Sequence, residues 1–126
     1  SVGATNGGGA SALYIACQED HVETARLLLE ASAAVDQAQE DGCTPLYMAC
    51  AMGLLECARL LLEAGAAINQ AEASGATPLY KACFEGHVDI ARLLLAAGAS
   101  VNQANEVGAT PLFIACQEGH GESARL

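Results

Sequence analysis

Aromatic side chains are scarce in this sequence: two Phe and three Tyr make up 4% of 126 residues, and Trp is absent. A core without bulky rings has to come from Ala, Leu and Val or Ile at close approach between helices. Basic residues are scarcer than acidic ones, five Lys and Arg against fifteen Asp and Glu, for a net charge of −10. Binding phosphates needs clustered Lys and Arg, so this balance excludes a nucleic-acid duplex or an anionic membrane as partner. No apolar run approaches the ~18 residues of a membrane helix, and no charged-then-apolar signal segment opens the chain. The chain as given is therefore expected to be soluble, whether or not it is a piece of something longer.

Proline is limited to three residues, and they are not scattered. Thr44-Pro45-Leu46-Tyr47 returns as Thr77-Pro78-Leu79-Tyr80 and again as Thr110-Pro111-Leu112-Phe113, each time 33 residues on. Thr is a good N-cap, Pro suits the first helical position, and the apolar residues that follow begin a helix. The earliest copy, Ser11-Ala12-Leu13-Tyr14, keeps a capping hydroxyl and lacks the proline. A 33-residue period means small stacked units rather than one globular core.

The period divides the chain into a flexible, Gly-rich lead-in (residues 1–8), a degenerate first unit (9–41), two full units (42–74 and 75–107) and a partial fourth (108–126). In the second unit a helix is expected from Thr44 to about Ala51, a break at Gly53, a second helix from about Leu54 to Ala64, and Gly65 as left-handed C-cap. The third unit has Gly86 and Gly98 at the two helix ends, where the first has Asp20 and Ser32. Acidity is concentrated early, with seven acids against Arg26 in residues 9–41. Arg26, Arg59, Arg92 and Arg125 each follow an acid by three residues (Glu23, Glu56, Asp89, Glu122), as in surface pairs on a helix.

The run Asp41-Gly42-Cys43-Thr44-Pro45-Leu46, followed by Ala49, Gly53, Leu60-Leu61-Leu62, Gly65-Ala66 and Ile68-Asn69, resembles the ankyrin repeat, and the likeness extends over residues 9–126. The resemblance implies an all-α solenoid of antiparallel helix pairs with hairpin-like turns projecting from it. It further implies a concave face formed by the turns and first helices, and a non-catalytic role in binding another protein. Where the family usually has His after Thr-Pro-Leu, this chain has Tyr47, Tyr80 and Phe113. The near-identity of the copies also suits an engineered, consensus-like scaffold without a natural partner. Asn69 and Asn102 match the turn-proximal Asn that asparaginyl hydroxylases modify in some ankyrin-like repeats, which makes the chain a candidate substrate of such an enzyme.

No chemistry-bearing constellation competes with a binding role. Cys17, Cys50, Cys83 and Cys116 recur with the period beside Cys43 and Cys57, without Cys-x-x-Cys or Cys/His metal spacing. Equivalent residues of stacked helices lie about 8–10 Å apart, beyond the ~7 Å that a disulfide spans between Cα atoms. Six free thiols are expected, hence a reducing intracellular compartment, cytoplasmic or nuclear. His21, His87 and His120 start second helices where the remaining unit has Leu54, which fits packing rather than catalysis. Gly7-Gly8-Gly9 has no Lys after it to make a phosphate loop. No cofactor or metal is expected.

Comparison of the internal copies separates positions held by the fold from positions left free. The free ones nominated as partner-binding are Gln39, Asp41, Glu72, Ser74, Asn105 and Val107 on the turns, and Met48, Met52, Lys81, Phe84, Glu85, Ile114, Gln117 and Glu118 on the first helices. Met48, Met52, Lys81 and Phe84 are expected to form an exposed apolar patch with one cation. The association state expected is a monomer, or weak end-to-end contact through uncovered stacking faces.

Overall fold

The computed structural model describes residues 11–31, 33–111, 113 and 114. Among them are six α-helices in antiparallel pairs: α1 (Ala12–Gln18) with α2 (Val22–Glu30), α3 (Pro45–Met52) with α4 (Leu55–Glu63), and α5 (Pro78–Glu85) with α6 (Val88–Ala96). No strand occurs among the described residues. The first helices α1, α3 and α5 stack in a row with α3 between the other two, and α2, α4 and α6 form a second row behind them.

Each first helix starts where its sequence says it should. The hydroxyls of Ser11, Thr44 and Thr77 accept from the amides of Tyr14, Tyr47 and Tyr80, each at 3.1 Å. Thr110 accepts in the same way from Phe113 at 3.2 Å. Pro occupies the first turn of α3 and α5, where a missing N–H costs nothing. Ser11, Thr44 and Thr77 are buried, so each capping hydroxyl has its partner within the fold.

Gly53 and Gly86 close α3 and α5 in the left-handed region, both at φ 76°. Asp20 holds that position after α1 at φ 59°, the only non-Gly residue at positive φ among those described. A side chain there costs roughly 1 kcal/mol. The next amide, from His21, Leu54 or His87, then turns back to Ala16, Ala49 or Ala82 at 2.8–2.9 Å. This bond starts the second helices, which have no side-chain cap.

The core is made of small and branched side chains, as the dearth of aromatics requires. Leu13, Leu46 and Leu79, the alanines at 16, 49 and 82, and Cys17, Cys50 and Cys83 lie buried along the first helices. Ala25, Ala58 and Ala91 let the second helices come close. Cover is unequal between the pairs: α2 buries Ala25 alone, whereas α4 buries Cys57, Ala58, Leu60 and Leu61. Leu27 is 65% exposed where its counterpart Leu60 is 8% exposed.

The expected surface pairs form in part. Arg26 meets Glu23 at 3.5 Å and Arg59 meets Glu56 at 3.8 Å. Asp89, one methylene shorter than Glu, makes no such bridge to Arg92 among the described residues. Arg125 lies outside them.

A candidate protein-binding face

The turns form a continuous row along one side of the stack. In each, an amide and a carbonyl close a small hairpin: Gln39 N–H to Cys43 C=O, Glu72 N–H to Ala76 C=O and Asn105 N–H to Ala109 C=O, at 2.9–3.0 Å. Successive hairpins are then joined, Ala73 N–H to Asp41 C=O at 2.9 Å and Glu106 N–H to Ser74 C=O at 2.8 Å. This close approach explains Gly42: at φ 86° a Cβ would come within 2.9 Å of the Ala73 nitrogen.

Several turn residues nominated as free are occupied within their own turn. One Glu72 carboxylate oxygen accepts from the Ser74 amide at 2.9 Å, the Ala76 amide at 3.0 Å and the Ser74 hydroxyl. Asn105 repeats the arrangement with its side-chain oxygen, accepting from Val107 at 3.1 Å and Ala109 at 3.0 Å. Asp41 accepts from the Cys43 amide at 3.0 Å. Gln39 is half-buried and contributes its backbone to the hairpin. Val107 is 81% exposed.

On the first helices two of the nominated positions are corrected, one of them, Met48, in the expected patch. Met48 and Ile114 are buried, at 5% and 4% exposure. Both are apolar and share a position in the frame with Lys81, which stays half-buried because its ammonium has to reach water. Flanked by α1 and α5, α3 offers Met48 apolar neighbours, and its flexible thioether joins the core. Met52, at the end of α3, remains 49% exposed. Lys81 is not an uncommitted cation: its Nζ lies 3.1 Å from Glu85 and 4.6 Å from the centre of the Phe84 ring. Gln117 and Glu118 lie outside the described residues.

A family model described as ankyrin repeats, three copies, matches residues 1–72 and 65–126. The chain is an ankyrin-repeat protein. A comparison with curated proteins gives no match. Ankyrin repeats are generally protein-protein interaction modules and are typically non-catalytic. Among the described residues of this ankyrin chain no three His, Cys, Asp or Glu side chains gather as metal ligands, and no helix is long and apolar enough to cross a membrane.

Side chains that invite a chemical reading are used structurally. His87 bonds the Ala51 carbonyl at 3.2 Å, its ring nitrogen donating, and its ring fills the space a Cβ on Gly53 would need. It thereby ties the third helix pair to the second. Asn69 accepts from the Ser100 amide at 2.9 Å, as Asp36 does from Ala67 at 3.0 Å, while Asn102 is exposed. The described cysteines are unpaired. Burial pushes the Cys83 thiol up to about 11 and drives Cys50 higher still. The separation expected of the periodic cysteines does not extend to Cys57, which on α4 meets Cys17 on α1.

Proposed function

We propose that this chain is a non-catalytic binding module that engages a partner protein on its turn and first-helix side, with the carboxyl-terminal ends of α3 and α5 at the centre of contact. The observation that carries the reading is Met52, half exposed on α3 beside the α5 segment in which Lys81 lies over Phe84 and pairs with Glu85. Exposed Met and aromatic side chains are favoured at interface centres. A Lys already held by two neighbours loses little rotamer freedom when a partner arrives. The net charge of −10 favours a partner of complementary charge.

The test is comparative capture from cell lysate, followed by titration of any retained protein. Phe84→Ala and Met52→Glu are expected to weaken binding by at least ~1–2 kcal/mol, the range of an interface hot spot. Glu63→Lys, on the exposed side of α4, is expected to change affinity much less. Equal losses from all three, or none from Phe84→Ala, would refute this placement of the face.

A further inference from the structure

We propose that Cys17 and Cys57 are a thiol pair that closes to a disulfide, joining α1 to α4, when a peroxide or a small disulfide such as oxidised glutathione reaches them. The Cys57 sulfur lies 3.9 Å from the Cys17 carbonyl oxygen and 3.6 Å from Asp20 Oδ1, so the two cysteines are neighbours where α4 meets the end of α1. In the proposed step, rotation about the side chains brings sulfur to sulfur. The repeat does not demand it. One frame along, Cys50 recurs, but Ile90 stands where Cys57 would be and is equally well buried. Thr24 and Ser123 hold the same position in the other frames. A thiol is present there in one copy only, and its neighbour is the cysteine of the adjoining first helix.

Both sulfurs are fully buried, so reaction in the closed stack is blocked, and burial pushes Cys17 up to about 12. Access comes when the α1–α2 pair opens, and that pair is the least well fastened. It has no proline at its start, Asp20 at positive φ, and a second helix that buries one residue. Burial and the Asp20 carboxylate raise the Cys57 thiol, and its contact with Cys17 lowers it. Its thiolate attacks peroxide, forming an S–O bond as the O–O bond breaks and water leaves. Cys17 then attacks that sulfur and expels a second water, so two thiols are oxidised and one peroxide is reduced. With oxidised glutathione the same sequence passes through a mixed disulfide and releases two glutathione thiols.

The experiment exposes the full chain in native buffer to hydrogen peroxide and, separately, to oxidised glutathione, with alkylation at intervals. Cleavage after Glu separates residues 57–63 from Cys43 and Cys50 and leaves Cys17 within residues 1–19. The expected product joins those two peptides with the loss of two hydrogens, at least about tenfold faster than Cys50 is oxidised, and raises the melting temperature. Cys57→Ile, which copies the neighbouring frame, is expected to stay folded and to lose the link. Preferential joining of Cys17 to another cysteine or to a second chain overturns the proposal. So does absence of the link once the half-buried Cys43 has been fully oxidised.

Discussion

At the scale of single residues, different side chains do one job. Glu72 and Asn105 look like unconstrained variation when the copies are compared, yet each closes its turn by accepting from two amides further along. Glu72→Ala leaves those donors without their acceptor and is expected to destabilise the fold by about 1–2 kcal/mol. Glu72→Gln, which retains an acceptor, is expected to cost less, as urea unfolding will show. Internal comparison could not reveal this, because identity varies while the bond persists. Met48 was illegible for a related reason: its burial depends on what the flanking helices offer, not on its own spacing. A second residue-scale effect is set by the thiols. Cys17 and Cys83 are raised from 9.0 to about 12 and about 11, so above pH 9 the unfolded chain loses protons that the folded chain keeps. That stabilisation is complete below pH 9 and declines as pH rises toward 11–12. The melting temperature should therefore fall from pH 8 to pH 10.5, and fall less steeply in Cys83→Ala.

At the scale of elements, helix boundaries were the most legible feature. Caps, prolines and left-handed glycines act within a few residues, so a sequence states them directly, and α3 to α6 begin and end within a residue or two of expectation. The same chemistry identifies what α1 lacks. Ala12 stands where α3 and α5 have proline, at a position whose amide has no partner within the helix. Ala12→Pro is expected to stabilise the chain by ~0.4–1 kcal/mol by narrowing the unfolded ensemble, provided the Ser11 cap is kept. Gly53→Ala tests the opposite case, because strain at φ 76° is compounded by the His87 ring 2.9 Å from the new methyl. A loss beyond the ~1 kcal/mol of backbone strain alone is expected, and His87→Ala should relieve the excess. Contacts between non-equivalent positions, such as Cys17 with Cys57, stayed hidden because a period aligns only equivalent ones.

At the scale of the whole molecule, stability is a sum over neighbours, and the α1–α2 pair has the weaker share. Amides of α2 are expected to exchange with solvent faster than those of α4, as Leu27 and Leu60 differ in exposure. Equal protection of the two helices would contradict this ordering. The row of turns carries one more consequence. Among the described residues both joining bonds run in the same sense, a later N–H to an earlier C=O, and the Asp36–Ala67 and Asn69–Ser100 bonds share that sense. The stack thus has a direction, with amides facing one end and carbonyls the other. Two copies meeting like end to like end would oppose donor to donor or acceptor to acceptor. Any association that continues these bonds is therefore heterologous, a geometry that does not close on itself at two and runs on into a ring or an open series.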